Sequence, residues 1–482
     1  MNRRHILAAL AAAPFAPVPV FSASASPADL RNDIRILREA LMLHPGLYRY
    51  ASPVQVEGRI ASLEREFLAA PDPAGRYLAL SRFLATIRCG HSYANFLNQK
   101  KAVAADLFDR PTRLPFRFRW LDGRMIVTAD PDRLGLTPGS EVTHVNGIAA
   151  SAMLARLLPY ARADGHNDAK RVSLLEVSGD DRIAYFDVFH GLLFGAGANG
   201  GHRLRVRTPG GQSRTVEVPA IGLAARRAQS TPRDPKGDRP VWDWTMRPDG
   251  VAVLTMPGWA LYDSTWDWRT WLGDRLDSLG GARGLVVDLR ANEGGQDCGD
   301  AILARLIDRP LREPGAERRV RFRTTPAALD PYLDTWDQSF RRLGVDAAPS
   351  VTGFLRLTGD RADDAIAPVG PRLTLPVATL IGPANSSATF QFAQAARRSG
   401  RVRLFGQPTG GNQRGINGGC FFFVRLPASG LEFDLPLIGY FPPGAPPDAG
   451  IAPDVNIAPT VRDIAGARDP ALEAAAGWAV KG

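Results

Sequence analysis

The sequence predicts an α/β protein of several domains, and three observations predict it. Apolar residues recur at helical spacing from about Pro27 to Asn98, the pattern turns to alternation at Phe116, and two strand–turn–helix units with apolar strands follow beyond Gly250. These periodicities mark amphipathic helices, half-buried strands and a mostly parallel sheet covered on both faces. A chain of 482 residues is also too long for one ordinary core.

The segments follow in order. Arg3-Arg4, an alanine-rich apolar stretch from Ile6 and the small residues of "FSASAS" read as a signal peptide over residues 1–25, cut near Ala25. The order "NRRHIL" is similar to a twin-arginine signal, so a periplasmic or secreted location is expected. Residues 26–104 are expected to form an N-terminal helical cap, because "ADLRNDIRILREALMLH", "VEGRIASLEREFLAA" and "GRYLALSRFLATIRC" each carry an apolar stripe. Residues 105–165 are expected to form a β module. Phe116, Phe118 and Trp120 alternate with arginines, Asp122-Gly123 supplies a hairpin turn, and Asn146-Gly147 supplies a second turn before a helix. Residues 166–240 read as a bridge containing a hairpin about Gly210-Gly211, and residues 241–465 as the C-terminal α/β core. In that core "GLVVDLRANEGGQDCGDAILARLI" and "LTLPVATLIGPANSSATFQFAQAARRSG" are the two units, and residues 466–482 are left as a tail.

Composition narrows the function. Hydrophobic residues at 45% and charged residues at 22% suit a folded soluble protein. No apolar run of eighteen residues follows the signal, so no stable membrane insertion is expected once it is removed. The charge of +10 is spread over many arginines without a basic block, so nucleic acid is not an expected partner. Cys89, Cys298 and Cys420 allow at most one disulfide and are too isolated for a zinc site. No metal or cofactor is expected.

Chemistry is suggested at Gly382–Phe390, "GPANSSATF", where Ser386 and Ser387 stand at a strand-to-helix turn. Open α/β sheets place their ligands at such turns. A serine there either caps the helix or acts as a nucleophile, and a nucleophile needs a base within hydrogen-bond reach. The five lysines, Lys100, Lys101, Lys170, Lys236 and Lys481, leave residues 237–480 without one, and no histidine follows His202. A base would therefore come from the N-terminal half.

Several motifs resemble, in order, the C-terminal-processing, or tail-specific, serine peptidase family. These are "HPGLY", "IRCGHSYANF", "GLVVDLRANEGG", "NSSATFQFA", "LFGQPTGG" and "GIAPDV". The string "LGLTPGSEVTHVNGIAASAMLARLL" is similar to a PDZ-type module, without the glycine-rich carboxylate-binding loop. The resemblance implies a multi-domain fold with a PDZ-like β module and a ββα, crotonase-like α/β catalytic core. It implies Ser387 as the nucleophile and Ser386 as its predecessor. Asn412 stands where many relatives carry a lysine, and Phe390 where many carry a glutamate, so the match is to the histidine-using, tricorn-core-like branch. In that branch His91 corresponds to the base. His44 precedes Pro45 and reads as a helix terminator, His144 lies within the PDZ-like strand, His166, His190 and His202 sit in segments with no motif match, and His5 leaves with the signal. Cys89, two residues from His91, is not on the same helical face and is not expected to pair with it.

Asp448 lies where those relatives carry a carboxylate, with Asp454, Asp434 and Glu432 as alternatives. Gly294-Gly295 forms a turn open to a substrate carbonyl, so Gly295 and Ala388 are the candidate oxyanion donors. The expected protein is an exported serine peptidase that hydrolyses peptide or protein substrates through an acyl-enzyme. A catalytically silent binding protein for peptides or hydrophobic ligands and a small-molecule esterase are the alternatives. The absence of Gly-x-Ser-x-Gly about Ser387 counts against an ordinary α/β-hydrolase.

Overall fold

The computed structural model describes residues 25–181, 183–230, 235–312, 315–358 and 365–481. Apart from Ala25, the signal read over residues 1–25 lies outside the described residues. The fold is mixed α/β with several sheets.

Helices Pro27–Leu41, Pro53–Ala69 and Pro73–Ala85 form where the apolar spacing predicts. Each begins with proline behind an N-cap, Ser26, Ser52 or Asp72, whose side chain accepts a backbone N–H of the first turn. Their apolar faces, among them Leu37, Leu63 and Leu80, are buried.

The first sheet is antiparallel, in the order Arg117–Leu121, Arg124–Ala129, Glu141–Val145, Gly201–Arg207, Ser213–Pro219, with Ile148–Ala149 beside Glu141–Val145. Both expected turns form, with Asp122, Gly123, Asn146 and Gly147 all at positive φ. This sheet crosses the boundary expected at residue 165. The hairpin assigned to a bridge pairs Gly201–Arg207 with Glu141–Val145 and sends Leu204 and Val206 into the same core as Val142 and Val145. That core also holds the N-terminal helices and Phe422, Phe433, Leu435 and Leu437 from the distant hairpin Asn417–Arg425/Glu432–Phe441.

The last sheet is mostly parallel, as expected. Its order is Val455–Asn456, Val402–Gly406, Val377–Ile381, Gly284–Asp288, Val251–Thr255, Asp243–Met246, and only the last strand runs antiparallel. Val377–Ile381 is buried at every position, as a central strand covered on both faces must be. One cover comes from the expected tail. Pro470–Lys481 is a helix whose Ala471, Ala475, Ala476 and Ala479 pack on Val286, Ala378, Leu380 and Phe405. Small residues at helical spacing made this stretch look featureless, yet they let the helix approach the sheet closely. Among the described residues no helix is long and apolar enough to cross a membrane.

Candidate active site

The strand Val377–Ile381 ends in a turn that delivers Ser387 to the start of helix Ser387–Ser399. Neither serine caps that helix. Ser386, at the N-cap position, makes no side-chain cap and donates its hydroxyl to the Glu293 carbonyl at 3.1 Å. Ser387 has φ +53, in the left-handed region that residues other than glycine rarely occupy. Such strain at a strand-to-helix turn lifts a side chain clear of its helix and clusters at functional sites. Its hydroxyl makes no hydrogen bond among the described residues.

Buried asparagines fix this turn. Asn385 accepts from Gly382 N at 2.7 Å, donates to the Asn292 carbonyl at 3.0 Å, and receives Gly410 N at 2.7 Å on its own carbonyl. The Asn292 side-chain oxygen accepts from Thr389 Oγ1 and Gly294 N, both at 2.8 Å. The ends of two neighbouring strands are thereby tied together. Gly294 abuts the serine so closely that a Cβ on it would stand 2.8 Å from Ser387 Cβ, and Gly294 has φ +114, so only glycine fits. Trp259 N bonds to the Gly294 carbonyl at 3.1 Å and Gln296 N to the Trp259 carbonyl at 2.9 Å. The N–H groups of Gly295 and Ala388 have no acceptor among the described residues.

His91 arrives at this corner from the N-terminal half. Its position is set by its own loop: His44, fully buried, donates from Nε2 to Ser92 Oγ at 2.8 Å and accepts Gly46 N on Nδ1 at 2.9 Å. Farther along, Asp434 receives the side chains of Asn95 at 2.7 Å and Asn98 at 3.0 Å. His91 Nδ1 is buried without a hydrogen-bond partner, as is Asp164 Oδ2. One His91 ring nitrogen, one Asp164 carboxylate oxygen and Cys89 Sγ lie within 4.8 Å of one another. The other Asp164 oxygen accepts Gly90 N at 2.8 Å, which holds the carboxylate beside the histidine loop. Burial lowers the His91 pKa, Asp164 and Glu293 oppose that shift, and Arg162 and Lys170 reinforce it.

Glu293 links histidine and serine. Its charge acts on His91, its carbonyl receives Ser386, and its successor Gly294 abuts Ser387. Its side chain is 44% exposed, and Lys170 and Arg162 outweigh the effect of burial and hold its carboxyl down to about 2. Lys170 is buried, bonds to Glu293, and donates to the Ala384 carbonyl at 2.8 Å. Counting lysines between positions 237 and 480 missed it, because it reaches the serine turn from the N-terminal half. Its ammonium is committed to Glu293 and Ala384, with no bond to Ser387.

The other expected residues are placed as follows. Asp448 is not brought to His91. Its carboxylate accepts His166 Nδ1 at 2.7 Å, His166 N at 3.1 Å and Asn412 Nδ2 at 2.6 Å. Asp454 accepts Leu404 N at 2.7 Å, and Glu432 lies at the far end of the hairpin from His91. Asn412 joins Asp448 to the Asp164 carbonyl, at 3.2 Å. Phe390, where a glutamate was the family expectation, is a core residue packed against Gly411. Cys89 does approach His91, because the segment is a loop and not a helix, but burial raises its thiol pKa and keeps it protonated. No disulfide joins Cys89, Cys298 or Cys420. Cys89, His91 and Asp164 have donor types that could hold a metal, but Arg49 beside Cys89 and Arg162 and Lys170 beside His91 oppose a cation there.

Residues 250–457 match the profile of peptidase family S41. The solved structure of mature CPAF complexed with lactacystin superposes with a TM-score of 0.63 at 17% identity, covering 94% of this chain and 98% of that one. A second structure, of mature CPAF, gives 0.58 at 16% identity, covering 91% and 94%. At these identities the likeness shows the fold. No curated protein matches the chain.

Proposed function

We propose that this chain, which belongs to peptidase family S41 and is a serine peptidase, cleaves peptide bonds with Ser387 as nucleophile, His91 as general base and Asp164 as the carboxylate that orients His91. The observation that carries the proposal is that Glu293, whose charge acts on His91, directly precedes the Gly294 that abuts the strained, unbonded Ser387, while His91, its Nδ1 without a hydrogen-bond partner, shares one cluster with Asp164.

The chemistry follows in two halves. Ser387 Oγ attacks the peptide carbonyl carbon while His91 takes the hydroxyl proton. Negative charge gathers on the carbonyl oxygen, and the Gly295 and Ala388 N–H groups, unused by the fold, are the donors for it; losing one such donor costs about 3 kcal/mol. Asp164 stabilises the imidazolium that forms. His91 then protonates the leaving amine, the C–N bond breaks, and an acyl-enzyme remains. Water deprotonated by His91 attacks the ester, and Ser387 recovers its proton. Asp164 replaces Asp448 in this role because Asp448 is already held by His166 and Asn412.

The sequence of residues 1–25, read as an export signal, supports a periplasmic or secreted location, and the strands and helix Ala150–Leu157 within residues 105–165 support the reading of that stretch as a PDZ-like module.

A fluorophosphonate probe should label the wild type and fail to label Ser387→Ala and His91→Ala. In peptide hydrolysis Asp164→Asn should lower kcat by about a thousandfold or more, as loss of a tautomer-fixing carboxylate does, whereas Asp448→Asn should stay within about tenfold. Labelling that survives in Ser387→Ala, or a larger loss in Asp448→Asn than in Asp164→Asn, contradicts the assignment.

A further inference from the structure

An aromatic face runs from solvent to His91. Along the strand Asn417–Arg425 the side chains alternate, so Phe422 and Val424 enter the core while Phe421 and Phe423 point the other way and are half-buried. Trp336, 61% exposed, lies against both, with ring centroids 5.9 Å from Phe421 and 5.8 Å from Phe423. Phe340 meets Trp336 edge-on at 5.3 Å. At the inner end, Phe421 is 5.8 Å from the imidazole of His91. On this side of the strand, among the described residues, Leu333–Asp334 is the pairing partner and reaches Val424 and Phe423. Toward His91 no strand lies beside it. Gly418 adds no side chain there, and a Cβ on it would come within 3.8 Å of His91 Cε1.

Core packing does not require this arrangement, because the core is filled by the opposite face of the strand. Large exposed apolar patches mark binding sites, and aromatic rings offer broad contact at low cost in side-chain entropy. A peptidase must also lay an extended substrate across its base and nucleophile, and the free side of a strand is where an extended chain docks.

We propose that Trp336 and Phe421 form a subsite for a large apolar or aromatic substrate side chain close to the cleaved bond. The proposal rests on the peptidase reading above and adds the substrate class to it. The peptide runs along the strand toward His91. Phe421 and Phe423 are two positions, or about 7 Å, apart along the strand, so the shelf reaches a side chain within about two residues of the reacting carbonyl.

The test uses the full chain and peptides differing by phenylalanine or alanine at each of the three positions on either side of the cleaved bond. At one position the wild type should favour phenylalanine by about tenfold or more in kcat/KM, the scale of hydrophobic discrimination. Trp336→Ala should reduce that ratio at least about fivefold, with the larger loss on the phenylalanine peptide, and Trp336→Phe should keep most of the preference. A ratio near one at every position, or a ratio unchanged in Trp336→Ala, overturns the proposal. Binding of the same labelled peptides to the Ser387→Ala protein, followed by fluorescence anisotropy, separates the two readings. Aromatic preference in binding without cleavage by the wild type sinks the peptidase assignment and keeps the shelf; no peptide binding sinks the shelf. A wild-type dimer that Trp336→Ala dissociates in sedimentation would make the shelf an interface between copies and also end the proposal.

Discussion

In the proposed mechanism His91 acts as a base only in its neutral form, so its surroundings would decide the pH range of the enzyme. Burial favours the neutral imidazole most, Arg162 and Lys170 add to that, and Asp164 and Glu293 work against it, leaving the pKa below the ordinary 6.5. A lowered pKa means that the active form is present above it and is lost as pH falls through it. The acid limb of kcat/KM is therefore expected below pH 6.5, with activity retained where an exposed histidine would already be largely protonated. A limb at or above that value in a profile from about pH 4 to 8 would show that His91 is not the titrating base.

The C-terminal helix Pro470–Lys481 shows how an element with a weak sequence signal becomes structural. Ala475 is fully buried against the parallel sheet, and a Cβ on Gly284 beneath it would stand 2.6 Å from Ala479 Cβ. Helix and sheet fit only because both surfaces are small. Gly477 lies on the exposed side of the same helix, with nothing within 4 Å of where a Cβ would be. Gly477→Ala should raise stability by about 0.5–1 kcal/mol, the helix propensity difference. Ala475→Glu should lower it by more than about 3 kcal/mol, since an uncompensated carboxylate would enter the core. Thermal or urea unfolding of the two variants checks the contrast, and equal effects would mean that the helix does not dock on the sheet.

At the scale of the whole molecule, the expected domains share their interior. Phe422, Val424, Phe433, Leu435 and Leu437 lie in one core with Leu37, Phe67 and Phe186 from the other end of the chain. Asp33 of the first helix also receives Ala428 N at 3.0 Å and Ser429 N at 2.8 Å at the turn of the C-terminal hairpin. A fragment starting at Val241 would expose the inner face of that hairpin. Residues 25–240 and 241–481 are expected to be insoluble when expressed apart and to give soluble, probe-labelled protein when expressed together. Soluble, monomeric and folded separate fragments, judged by circular dichroism and sedimentation, would show that the shared core is dispensable.

Local pattern was enough for the N-terminal helices, the turns at Asp122-Gly123 and Asn146-Gly147, the parallel order of the core units, and the nomination of Ser387 and His91, because each depends on neighbours in the chain or on an ordered motif. Asn292 and Asn385 lie within the two quoted strand–turn–helix stretches, but their hydrogen bonds join strands that only the sheet brings side by side. Lys170, Asp164 and Trp336 carried no local signal at all, since their partners lie far away in sequence. The same holds for Asp448, whose motif position pointed to His91 while its nearest donors are His166 and Asn412. Periodicity and turn chemistry are short-range properties that a sequence states directly; which carboxylate meets which histidine is a short-range contact between remote segments, and folding alone brings those segments together.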